Sequence, residues 1–139
     1  MNLEIARRHI QATLARMRAC YLKPVFDEWA ILAGPASTGG VLAYHGPRPD
    51  AFRRNLAADA EPLRTATAGK QLAEGDLEFV SDADQTRYDA FMKIGPTSYL
   101  VLNHTGMTMK EISADPKWLG AQAVLFELSE KFRMDPLEV

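Results

Sequence analysis

The sequence predicts an α+β fold: a five-stranded antiparallel sheet with helices on both faces, in the order α-β-β-α-β-β-β-α. Three observations lead there. Apolar residues recur every three or four positions near both ends of the chain, as on one face of a helix. Between those ends lie short runs rich in strand formers, bounded by glycine and proline. The connections between successive strands are short, which suits antiparallel neighbours in a meander.

Leu3, Ala6, Ile10, Leu14, Met17 and Tyr21 form the first helical stripe. Asn2 is placed to cap it, Glu4 and Arg8 form an i,i+4 pair, and Lys23-Pro24 ends it. VFDEWAILA (25–33) and VLAYH (41–45) read as two strands of a hairpin around GPASTGG (34–40). Gly46-Pro47-Arg48-Pro49 breaks the second strand.

Residues 50–72 carry a helical pattern through Phe52, Leu56, Leu63 and Ala66, interrupted at Pro62. Asp59 is a fresh cap, and Gly69 or Gly75 a terminator. LEFVS, RYDAFMKI and YLVLNHT are the next three strands. The capping box T-M-K-E at 108–111 opens a short helical turn. Asp115 then caps a helix with Pro116 at its first position, running to about 132. Its main stripe is Trp118, Ala121, Leu125, Leu128 and Phe132; Leu119, Ala123 and Phe126 form a second, about 100° away. So wide an apolar arc predicts two neighbours, the sheet and either another helix or a second subunit.

The chain of 139 residues reads as one domain, 1–139, with 47% hydrophobic and 24% charged residues. A formal net charge of −2 offers no field to attract nucleic acid. No run approaches the roughly 18 apolar residues of a membrane span, so no membrane is expected. The amphipathic N-terminal stretch lacks the apolar region of a secretory signal, and its smooth continuation into the domain favours an ordinary helix over a presequence. A single cysteine, Cys20, excludes an intrachain disulfide and suits a cytoplasmic location. Residues 1–25 hold five Lys/Arg and one Glu, whereas 111–139 hold six Asp/Glu and three Lys/Arg. The two terminal helices are therefore expected to lie side by side with complementary rims.

No motif specifies catalysis. GPASTGG is followed by a strand pattern, not by the lysine, hydroxyl and helix of a phosphate-binding loop. His9, His45 and His104 have no spacing that demands a metal. Cys20 sits near a helix end, where a thiolate is not stabilised, and reads as a small buried or half-buried side chain. The carboxylate pairs Asp27/Glu28 and Asp82/Asp84 read as solvated surface; the first pair points to opposite faces of a strand. No cofactor and no metal are expected.

The layout, with WAILA-turn-GGVLAYH, GDLEFV and IGPTSYLVLNHT, resembles the roadblock/dynein light-chain superfamily within the longin-like and profilin-like group, over about residues 3–133. Three features depart from that pattern: the long first turn, Pro62 in the second helix, and the extended link from Asn103 to Asp115. The resemblance implies a non-enzymatic homodimer that serves as an adaptor or regulator, with a small Ras-like GTPase as a protein partner. It also implies that the strand Leu77–Ser81 pairs with its twin, with the second helices alongside; the interface residues are then Leu77, Phe79, Val80 and Leu63. A different reading is a small-molecule sensor domain of profilin-like fold. Its pocket would use Tyr44, His45, Tyr88, Asn103 and His104 at strand ends. A third reading, a small enzyme using His45 or His104, has the least support.

Overall fold

The computed structural model describes residues 1–20, 26–33, 40–54, 72–81, 87–105, 111 and 114–138. Helix α1 spans Leu3–Cys20 and buries Ala6, Ile10, Thr13, Leu14 and Met17, the expected stripe. Asn2 caps it: its Oδ1 accepts the Ile5 N–H at 2.9 Å. Cys20 is exposed, contrary to the buried or half-buried side chain expected. It lies roughly 80° round the helix from Ile10, off the stripe that faces the sheet.

Strands β1 (Glu28–Ala33), β2 (Val41–His45), β3 (Leu77–Ser81), β4 (Arg87–Lys93) and β5 (Ser98–Thr105) form one sheet in the order β2-β1-β5-β4-β3. Every adjacent pair is antiparallel. Helix α2 covers Pro49–Arg54, and helix α3 covers Lys117–Met134. The sequence places further helix at 55–72 and at 108–111. Those expectations, with the loop at 34–39, fall almost wholly outside the described residues; of 108–111 only Glu111 is described.

Strand alternation sorts the core into two layers. Trp29 and Ile31 of β1, Met92 of β4, and Leu100 and Leu102 of β5 meet α1 and α3 on one face. Ala30, Leu32, Phe91 and Val101 meet Phe52 of α2 on the other. Both faces of β1 are thus buried, which is why WAIL is continuously apolar.

Helix α3 buries Trp118, Ala121, Val124, Leu125, Leu128, Ser129 and Phe132 against the sheet and α1. Each fully buried Leu or Phe there is worth about 1.5–3 kcal/mol of transfer free energy. The helix opens as the sequence predicts: Asp115 Oδ1 accepts the Lys117 N–H at 2.9 Å, and Pro116 takes helical dihedrals of −60° and −23°. Beyond α3 the chain turns back so that Leu137 is buried, its N–H donating to the Ile94 carbonyl at 2.5 Å.

Gly75 enters β3 with φ of +85°, and a Cβ there would lie 2.6 Å from the Ser129 carbonyl oxygen of α3. Only glycine satisfies both the dihedral and the close approach.

Candidate functional site

Strand β3 is the last in the sheet, and its ladder fixes which backbone groups face outward. Lys93 donates its N–H to Asp76 and accepts one from Gly75, while Ile94 donates to Ser98 on the opposite side. With the register Glu78↔Phe91 and Val80↔Asp89, alternation makes those the hydrogen-bonded pairs between β3 and β4. The N–H and C=O of Leu77, Phe79 and Ser81 therefore point away from β4, to the side on which no further strand lies among the described residues. An edge of this kind is a template for another strand.

The side chains of Leu77 and Phe79 are half-buried and packed against the core beneath α3. The Phe79 ring stands edge-on to Trp118, with centroids 6.1 Å apart and planes at 73°. These two residues thus serve the fold through their side chains and the edge through their backbone. Val80 is opposite Asp89 in the ladder. Leu63 lies outside the described residues.

The two flanks of α3 differ. Towards α1, Arg16 Nη1 meets Glu127 Oε2 at 2.6 Å, so the complementary rims meet within one molecule. That hydrogen bond raises the Arg16 pKa and lowers that of Glu127. Towards β3, the second apolar stripe is uncovered: Leu119 is 72% exposed, Phe126 49%, and Ala123 is exposed as well. A cleft of about 340 Å³ separates Phe126 from Leu72 and Leu77. Arg133 stands over it, 3.4 Å from both Asp76 and Glu130.

A second cluster lies at the end of β1 on the α2 face. Glu28, 3% exposed, accepts three hydrogen bonds. Tyr44 Oη donates to Oε2 at 2.5 Å, Arg48 Nη2 to Oε1 at 2.8 Å, and Asn103 Nδ2 to Oε1 at 2.7 Å. Tyr44 Oη in turn accepts the Arg48 N–H at 3.1 Å. Burial, followed by the hydrogen bond to Glu28, pushes the Tyr44 pKa up to about 12. The Arg48 guanidinium also lies 5.9 Å above the Phe52 ring. The Oδ1 of Asn103 is buried without a hydrogen-bond partner.

Of the five strand-end residues considered for a pocket, Tyr44 and Asn103 meet through Glu28. His45 is on the opposite face of the sheet, stacked on Trp29 at 6.0 Å and 23°. Tyr88 and His104 are neighbours in the β4–β5 ladder. Glu28, read from the sequence as solvated, is buried, and sequence reasoning misses Arg48. The signal is position: Glu28 shares a strand face with Ala30 and Leu32, and Arg48 follows the adjoining strand. Among the described residues, no three His, Cys, Asp or Glu side chains are grouped to hold a metal ion. No helix among them is long and apolar enough to cross a membrane.

No protein-family model matches the chain, and no curated protein does. The chain is similar to several solved structures. One is "MglB with tetrameric arrangement", at 13% identity and a TM-score of 0.49, covering 93% of this chain and 90% of that one. The gliding protein mglB from Thermus thermophilus gives 13% identity and a TM-score of 0.44, covering 91% and 92%. The GAF domain/HD domain protein from Geobacter sulfurreducens gives 9% and 0.48, covering 93% and 94%. At such identities and scores these likenesses decide nothing about activity.

Proposed function

We propose that this chain is a dimerising regulatory module that works by contact and without catalysis, joined to a second copy through β3. The carrying observation is the place of β3 at the end of the sheet, with the backbone groups of Leu77 and Ser81 turned away from β4. They lie evenly about Phe79, so a twofold axis there pairs residue 77 with 81 of the second copy and 81 with 77. Isologous pairing along such a strand closes the assembly at two copies. Leu63 and Val80 complete the interface implied by the roadblock resemblance. That resemblance also supplies the partner in this reading, a small Ras-like GTPase.

The sensor reading has less support. Tyr44 and Asn103 both donate to Glu28, so their donors are already used within the protein.

Ser81→Pro tests the reading. It removes an outward N–H but no hydrogen bond to β4, so the monomer's ladder stays intact. By sedimentation equilibrium the parent chain is expected to be a dimer, and Ser81→Pro to weaken it at least tenfold with an unchanged circular dichroism spectrum. A parent chain that is monomeric at every concentration sinks the proposal. The partner is tested separately, by nucleotide-dependent capture of a purified small GTPase on the immobilised dimer.

A further inference from the structure

The strand edge does not account for the charge on the other side of the helical layer. Helix α1 carries four arginines and one glutamate, a charge of +3, in a chain of net charge −2, so the rest of the chain carries −5. Arg16 is held by Glu127 of α3, and Arg8 lies 3.5 Å from Glu4. Arg7 and Arg18 are exposed, and neither has an acidic partner among the described residues. They stand about 16 Å apart along the helix and about 20° apart around it, so they share one rim. Arg16 is about 180° round from Arg7, so this rim is the one turned away from α3. Arg8 stands on the crown of the helix, where Ala12, Ala15 and Ala19 are also exposed. Pairing through β3 leaves this surface accessible, because α3 stands between β3 and α1.

We infer that the outer face of α1 docks an acidic helical segment of another protein, laid along it with carboxylates against Arg7, Arg8 and Arg18. The docking needs no second copy of this chain. Charge sets the sign of the partner, and the footprint sets its size. A bilayer or a long nucleic acid extends past three helical turns and meets the negative remainder of the chain. A short acidic helix meets only the arginines, since salt screens charges more than about 8–10 Å away. Guanidinium forks match carboxylates, which they hold with two parallel hydrogen bonds. Because Ala12, Ala15 and Ala19 keep the crown low, the partner helix can approach to the roughly 8–10 Å at which helices pack. Single exposed ion pairs are weak, so the contact depends on several in register along one face.

Fluorescence anisotropy of the full chain tests the inference, with a labelled synthetic helical peptide whose glutamates all lie on one face. The parent is expected to bind it. A peptide of the same composition, with its glutamates spread round the helix, is expected to bind about tenfold more weakly or worse. Arg7→Glu/Arg18→Glu is expected to lower the affinity for the one-faced peptide by about tenfold or more. Arg53→Glu/Arg54→Glu changes the net charge equally on α2 and is expected to leave that affinity unchanged. All four side chains are exposed, so both double variants are expected to keep the parent's circular dichroism spectrum. The inference is overturned if the one-faced peptide does not bind, if the spread peptide binds as tightly, or if the two double variants weaken binding equally. It is likewise overturned if phosphatidylglycerol vesicles or a thymidine oligonucleotide bind as tightly as the one-faced peptide, and the rim then belongs to that polyanion. None of these outcomes bears on the strand-paired dimer, which sedimentation reads separately.

Discussion

Arg48 and Glu28 form an ion pair of unequal partners: the Glu28 side chain is 4% exposed and the Arg48 side chain 37%, at a separation of 2.8 Å. The carboxyl group is committed to the interior and depends on its donors. The guanidinium keeps contact with solvent, which screens the pair. Glu28→Ala leaves the Tyr44 hydroxyl and the Asn103 amide without their acceptor, and is expected to destabilise the fold by about 3 kcal/mol. Glu28→Gln keeps an acceptor oxygen and the volume, and is expected to lose about half as much. Urea midpoints at constant m-value check the order, and an alanine variant as stable as the glutamine variant would contradict it.

Gly46 lets the chain pass close to that cluster. A Cβ there would lie 2.6 Å from Tyr44 Oη and 2.9 Å from Glu28 Cγ. Gly46→Ala is therefore expected to cost about 1–3 kcal/mol through overpacking. The cost should shrink in a Tyr44→Phe background, which removes the oxygen nearest the new methyl. A double-mutant cycle measures that coupling, and strict additivity would count against the packing account.

The raised pKa of Tyr44 has a definite sign. The folded state holds the neutral phenol to about pH 12, whereas the unfolded chain releases that proton near its ordinary value of 10.0. The associated stability is complete below the ordinary value of 10.0 and is lost as the pH rises towards about 12. The stability gap between the parent and Tyr44→Phe should narrow over that interval. Ultraviolet absorbance titration of the phenols should show a late-titrating tyrosine, and Tyr44→Phe should abolish it. A Tyr44 that titrates at its ordinary value of 10.0 would refute the assignment.

Arg16 and Glu127 meet at the surface between α1 and α3, each side chain more than half exposed. Such a pair steers more than it stabilises. Glu127→Ala is expected to lower stability only slightly, with the loss shrinking in high salt. Because the folded-state pKa of Glu127 is lowered, the contribution is present above its ordinary value and lost as the pH falls through the folded one. Exchanging the two residues should restore the parent's salt dependence. A double-exchange variant that unfolds would show that the contact fixes packing instead.

The elements were legible because their periodicity is backed by burial. Trp118, Ala121, Leu125, Leu128 and Phe132 recur at helical spacing, and all are buried. Leu119, Ala123 and Phe126 recur just as regularly and remain exposed within one copy. Periodicity reports an apolar face and cannot say what covers it. Glu28 failed to stand out because its neutralising partners come from β2, the turn after it, and β5. Only the assembled sheet brings them together. The edge position of β3 was implied by the resemblance, but the outward set at Leu77, Phe79 and Ser81 needed the register.

The middle position of β5 has a kinetic consequence. It joins β1 to β4, and its Asn103 reaches Glu28 across 75 residues of chain. During synthesis the β1–β2 hairpin can form early, but nothing links it to the β3–β4 pair until residue 105 has been made. Closing so long a loop before any reward arrives makes for slow folding. Until then, β1 and β4 each present an unpaired edge that later becomes the interior of the sheet. The nascent chain is thus most prone to mispairing before β5 emerges, and a pause just upstream of β5 would prolong that window.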